Sequence, residues 1–221
     1  MYIKRVFSLL LAFLPLLLTI LILPILPDRI PAHFDLVGNI TRYGSKFESL
    51  IMPIITIVMS FFWLWMEKIA GKAKEKNVRN AKIMYWCSIG TTLFFAVNQI
   101  MFLFPAFTSV DSPSSDRFDI MRVFAVCIGV LCIFFGGIFP KCTQNYIIGI
   151  RTTWTLSSEL SWQKTHKLAG YILFIYGILS TLFSLFVFEG LSALAIVGSG
   201  VLVVFIPIII YSHYVYKHEK N

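Results

Sequence analysis

Six apolar stretches set the limits on what this chain can become: Val6 to Leu26, Leu50 to Met66, Ile83 to Phe104, Ile120 to Phe139, Tyr171 to Phe188 and Leu191 to Tyr211. Each is close to the roughly 20 residues that a helix needs to cross a hydrocarbon core. Backbone groups in lipid must find hydrogen bonds within their own segment, and these stretches lack the alternation of barrel strands. The sequence therefore predicts an all-α polytopic membrane protein with six transmembrane helices. Composition agrees, since 57% of the 221 residues are hydrophobic and 14% charged, against about 25% charged in a soluble domain. The first stretch follows Lys4 and Arg5 as a secretory signal would. It is longer than a signal core, however, and ends in Pro24-Ile25-Leu26-Pro27 with no small-residue cleavage site, so it reads as a retained helix.

The net charge of +8 is unevenly distributed between the gaps. Lys4, Arg5, Lys68, Lys72, Lys74, Lys76, Arg79, Lys82, Lys141, Arg151, Lys164, Lys167, Lys217 and Lys220 fall on one side. Arg29, Arg42, Lys46, Arg117 and Arg122 fall on the other. The positive-inside rule predicts cytoplasmic termini and a multi-pass protein of the cell (inner) membrane. The basic residues lie at bilayer ends without a nucleic-acid motif, so the lipid bilayer is the expected partner and nucleic acid is not. The chain divides into an N-terminal module (1–66, two helices and an ordered external loop, 27–49), a basic cytoplasmic loop (67–82) and a four-helix module (83–221) carrying a cytoplasmic motif (145–170).

Neither the cysteines nor the histidines point to chemistry. Cys87, Cys127 and Cys132 sit inside spans and Cys142 at a span end, without the spacing of a zinc or redox site. There is no HExxH, GxSxG or glycine-rich phosphate loop. The expectation is a protein that is not an enzyme, with no catalytic residues, metal or cofactor.

Two gaps are rich in turn residues and aromatics. In the external one, Pro27 and Pro31 hold the chain extended, Gly38 and Gly44 permit turns, and His33, Phe34, Ser45 and Lys46 are candidate binding residues. His33 can pair with Asp28 or Asp35, or lie over the helix ends. In the cytoplasmic gap the candidates are Asn145, Gly149, Arg151, Thr152, Trp154, Thr155, Glu159, Trp162, His166 and Gly170. Thr155 or Ser157 can cap a helix with Glu159 in its first turn, which places Trp162, His166 and Gly170 on one face and either lies at the interface or runs straight into the fifth span. The tryptophans also suit an interfacial belt, and Arg151 suits a cation-π contact, a lipid phosphate or a carbonyl cap.

Asn145-x-x-Gly149-Ile150-Arg151-Thr152-x-Trp154-Thr155-Leu156, with Glu159, Trp162, Thr165-His166-Lys167 and Gly170, resembles the signature of the SdpI family of membrane immunity proteins. The external stretch resembles the uncharacterised N-terminal module often fused to it. Two positions depart from the pattern: Thr153 stands where the family usually has proline, and Thr41 where an acidic residue is common. The resemblance implies a six-span protein of a Gram-positive bacterium that protects its cell from a secreted peptide toxin of the sporulation-delaying type. It further implies binding or sequestration of the peptide, with signalling to a cytosolic transcriptional regulator as a companion role. A transporter that exports a peptide or small solute is the alternative, against which stands the absence of an internal repeat and of a charged midplane residue. A toxin helix would pack on small residues, for which Gly177 with Thr181, Ser180 with Ser184, and Ala195 with Ser199 are candidates. The same residues suit packing between the protein's own fifth and sixth helices. Asn98 and Gln99 suit a toxin backbone or another helix.

Overall fold

A computed structural model describes residues 2–35, 40–70, 76–107, 120–187 and 190–219, so Gly38 lies outside the described residues. The elements in chain order are α1 (Tyr2–Ile22), β1 (Arg29–Phe34), β2 (Ile40–Ser45), α2 (Ile51–Ala70), α3 (Lys76–Phe107), α4 (Ile120–Ile138), α5 (Thr153–Ser157), α6 (Glu159–Phe186) and α7 (Gly190–Glu219). All of these helices except α5 are long and apolar enough to span a membrane, giving six among the described residues. Large apolar side chains such as Leu10, Leu202 and Ile210 point outward, at 66%, 73% and 64% exposure, which only a lipid solvent accommodates. The bundle has a terminal face, carrying the helix ends near both termini and α5, and a hairpin face, carrying β1 and β2.

Two features differ from the sequence expectation. The external segment contains an antiparallel hairpin, with Arg29 opposite Ser45 and Pro31 opposite Tyr43. Proline is tolerated there because each strand of a two-stranded sheet has a free edge. The helix that opens the polar stretch before Tyr171 runs straight into the fifth span, one of the two courses the sequence left open, since α6 is unbroken from Glu159 to Phe186. Much of the basic segment 67–82 is likewise helical, within the end of α2 and the start of α3.

The six spans pack as two trios. α1, α2 and α3 pack on one another, α4, α6 and α7 on one another, and the trios meet mainly along α3 and α4. In the second trio, glycines recur at heptad spacing on both partners: Gly129 and Gly136 on α4, Gly170 and Gly177 on α6. A β-carbon on Gly136 would stand 2.6 Å from the Phe174 nitrogen, and one on Gly177 would stand 2.5 Å from the Ile133 nitrogen. The two backbones therefore touch, as close helix packing in lipid requires. Gly177 thus packs the fifth span against the fourth, where the sequence suggested the sixth. Ala195 and Ser199 are exposed on α7.

Polar ties hold the first trio. The Ser8 and Ser88 hydroxyls are 2.8 Å apart and buried. The Gln99 amide donates to Thr19 Oγ1 and to the Ser49 carbonyl, both at 2.9 Å, joining α3 to α1 and to the turn before α2. The Asn98 amide donates to the Phe94 carbonyl of its own helix at 2.8 Å. Both residues are buried and serve the fold's interior. Gln99→Leu is expected to cost only about 1 kcal/mol, because interhelical hydrogen bonds in lipid average about 0.6 kcal/mol and the leucine recovers packing. Thermal unfolding in detergent reads the difference.

Candidate functional site

The stretch 142–170 folds into a hydrogen-bonded knot on the terminal face. Its first turn is built by Asn145, whose Oδ1 accepts from the Ile147 and Ile148 amides at 2.7 and 2.8 Å. The Asn145 Nδ2 donates to the Thr143 and Ile148 carbonyls at 2.8 and 3.1 Å. The chain then reverses at Gly149, whose φ of +120° lies in a region that side chains oppose. The next amide, of Ile150, donates to His166 Nε2 at 2.9 Å. His166 Nδ1 sits 2.8 Å from the Trp162 carbonyl, so the partners assign a neutral imidazole protonated at Nδ1.

Trp162 completes this core. It is fully buried, stacks on the His166 ring at 4.0 Å, and donates from Nε1 to the Cys142 carbonyl at 2.9 Å. That rules out a belt role for Trp162, whose ring has no access to a membrane interface. Around it lie Ile83, Met84, Cys87, Ile138, Cys142 and Ile148, so the knot's core is shared with α3 and α4.

The segment after the reversal starts two helices with two caps. Thr152 Oγ1 accepts from the Thr155 amide at 3.1 Å while Thr155 Oγ1 accepts from the Thr152 amide at 3.0 Å, a reciprocal cap for α5. Ser158 Oγ accepts from the Ser161 amide at 2.9 Å and caps α6. The caps are thus Thr152 and Ser158, where Thr155 or Ser157 was expected, because the apolar pattern hid the break between the helices. Thr153 takes the first helical position, whose N–H is free in any helix. Threonine there keeps the turn that proline would favour. Thr155 Oγ1 also donates to the Ile150 carbonyl at 2.7 Å, tying α5 to the reversal.

Of the remaining members, Arg151 and Glu159 lie outward, Trp154 is half-buried and Gly170 is buried. Arg151 is exposed and donates to the Tyr146 carbonyl at 2.6 Å, capping the loop in place of the fourth helix. Trp154 meets the His213 ring edge-on at 4.6 Å, and Glu159 is exposed at the start of α6. Gly170 belongs to the α4 to α6 crossing, against Pro140 and Gly136.

Several residues that lock the knot carry no sequence signal of their own. Asn80 on α3 exchanges two hydrogen bonds with the Thr143 backbone, at 3.1 and 3.2 Å. The Gln144 amide donates to the Thr155 and Leu156 carbonyls at 2.8 and 2.9 Å. From α7, the Ser212 carbonyl accepts from Ser161 Oγ at 2.9 Å and its hydroxyl lies 3.3 Å from Thr152 Oγ1, while Glu219 accepts from Ser158. Isolated polar residues in apolar or basic runs are legible only once the helices are placed.

On the hairpin face, Lys46 pairs with Asp28 at 2.9 Å, and its hydrogen bond and charge hold the Asp28 carboxyl below the usual range. Arg42 meets Glu48 through two nitrogens at 3.0 and 2.8 Å, and Glu48 Oε1 accepts from the Ser45 amide at 3.2 Å. His33 Nδ1 lies 2.6 Å from Thr41 Oγ1, so threonine supplies a partner where an acidic residue is common. Pro31 is buried beside the fully buried Ile30, while Pro27 is exposed. Phe34 closes the β1 register opposite Ile40. Among the described residues, no group of three or more His, Cys, Asp or Glu is placed to hold a metal ion.

Residues 141–211, which hold the knot, α6 and much of α7, match the SdpI/YfhL protein family. Residues 10–57, which hold the hairpin and parts of its flanking helices, match a domain of unknown function, DUF1648. The chain is 24% identical over 194 residues to a protein of Bacillus subtilis (strain 168) named Immunity protein SdpI, covering 88% of this chain and 87% of that one. No solved structure matches. The chain is therefore a multi-pass cell-membrane protein that resembles the SdpI/YfhL family over residues 141–211 and DUF1648 over residues 10–57.

Proposed function

We propose that this protein gives its cell immunity to a secreted, membrane-active peptide toxin of the sporulation-delaying type, by binding or sequestering the peptide rather than by catalysis. The observation that carries the reading is the likeness to an immunity protein along almost the whole of both chains. The hairpin face takes the external side, as the charge distribution requires. There Tyr43 and Phe47, 46% and 60% exposed, give an arriving peptide apolar contact beside the Arg42 and Glu48 pair. On the opposite face the knot sets the positions of α4, α6 and α7. Its outward residues Arg151 and Tyr146 offer a surface to a cytosolic regulator.

The test is the membrane potential of a toxin-sensitive host during challenge with a sporulation-delaying-type peptide. The potential is expected to hold only when the protein is present. Equal collapse with and without confirmed expression would overturn the reading, and protonophore-sensitive efflux of labelled peptide from vesicles would favour export. Arg151→Ala separates the motif's surface from its core. The variant is expected to lose protection by about tenfold in toxin dose, the equivalent of ~1.4 kcal/mol of interaction. Its thermal midpoint should hardly move, because one exposed hydrogen bond contributes about 1 kcal/mol or less. Full protection would remove Arg151 from the functional surface.

A further inference from the structure

A cavity of about 530 Å³ opens on the terminal face between the start of α3, the turn after α4 and the first turns of α6. It is far larger than the ~30 Å³ share of a water molecule. Arg79 reaches it from one trio and Lys167 from the other, joined by Glu159, Gln163 and Tyr171. Both cations are exposed, and neither has a hydrogen bond or ion pair to another described residue. Two cations against one carboxylate leave the cavity with a net positive charge.

The α6 side of the cavity is graded. Gln163, Lys167 and Tyr171 follow one another at four-residue steps and so lie along one face. Beyond Tyr171 the exposed surface of the helix becomes apolar at Phe174 and Ile175, 44% and 58% exposed. A polar head, an aromatic collar and an apolar strip follow the order of a phospholipid's phosphate, glycerol and acyl chains.

We infer that this cavity is a headgroup site for an anionic phospholipid, with Arg79 and Lys167 gripping the phosphate, Gln163 and Glu159 facing the headgroup hydroxyls, and an acyl chain lying along Phe174 and Ile175. Bare phosphate would leave the apolar strip without a partner, so the lipid is the occupant that uses every part of the site. A bound lipid would bridge the two trios at the knot, since Arg79 adjoins Asn80 and Lys167 adjoins His166. The site does not depend on the immunity reading.

The experiment is lipid titration of the full-length protein in detergent, read by native mass spectrometry, with phosphatidylglycerol, phosphatidylcholine and inorganic phosphate as probes. Phosphatidylglycerol is expected to bind at least about tenfold more tightly than phosphatidylcholine, and millimolar phosphate should not displace it. The double variant Arg79→Gln with Lys167→Gln should weaken phosphatidylglycerol binding about 30-fold, as expected for two cations near an anionic headgroup. Lys164→Gln, a cation outside the cavity on the same helix, should bind as the parent does. Equal affinity for the two lipids, displacement by phosphate, or unchanged binding in the double variant would each overturn the site. The lipid comparison needs no variant, so a folding defect in the double variant leaves the question decidable.

Discussion

Gly149→Ala is expected to unravel the motif, at a cost of about 2 to 6 kcal/mol. Two terms add. The backbone at φ +120° suits glycine almost alone, and a side chain there stores about 1 to 3 kcal/mol of strain. The added β-carbon also runs into His166 Nε2 and stands 3.1 Å from the Trp162 ring, so the imidazole must retreat. Its retreat leaves the buried Ile150 amide without an acceptor, a loss of about 1 to 3 kcal/mol. Denaturation in detergent should show the drop, and protection against toxin should vanish with it. A variant as stable as its parent would mean that the reversal at Gly149 does not lock the knot.

The second large effect is expected at Gly177→Leu, at about 3 kcal/mol or more. The obstacle is backbone: a β-carbon at this position would lie 2.5 Å from the Ile133 nitrogen and 2.6 Å from the Gly129 carbonyl oxygen. Neither atom belongs to a side chain that can swing away, so α4 and α6 must separate along their shared heptad. Gly198→Leu is the matched control. A β-carbon there meets nothing within 4 Å, and leucine favours helix over glycine by several tenths of a kcal/mol. The control should unfold no earlier than the parent. Equal loss from both variants would point to general intolerance of leucine at helical glycines, and not to a close seam.

The spans were legible in the sequence because lipid imposes one rule on every residue of a crossing segment. Length and hydropathy alone therefore placed all six. The motif's membership was legible as well, since Asn145, Thr152, Thr155, Trp162 and His166 do meet in one hydrogen-bonded unit. Spacing along a helix also put Trp162 over His166 correctly. The hairpin was not legible, because Arg29 to Phe34 contains a proline and little alternation. Partners from distant helices were hidden too. Asn80 looks like one more polar residue in a basic run, and only the packing of α3 on α4 brings it to Thr143. Gln99 suited a toxin backbone or another helix for one reason, that a buried amide in lipid must find a partner somewhere, and it finds it on α1 and before α2.

The knot draws its members from widely separated moments of synthesis. Asn80 enters the membrane with the third span, the loop from Cys142 to Ser158 follows the fourth, and Ser212 and Glu219 come with the sixth. Translation must pass Ser212 before Thr152 and Ser161 can close on it. A ribosome that stalls earlier leaves a chain whose first five crossings are in place and whose caps are open to water and proteases. The late-arriving helix is in this sense an inspector's seal: only a chain inserted through its sixth crossing displays a finished terminal face.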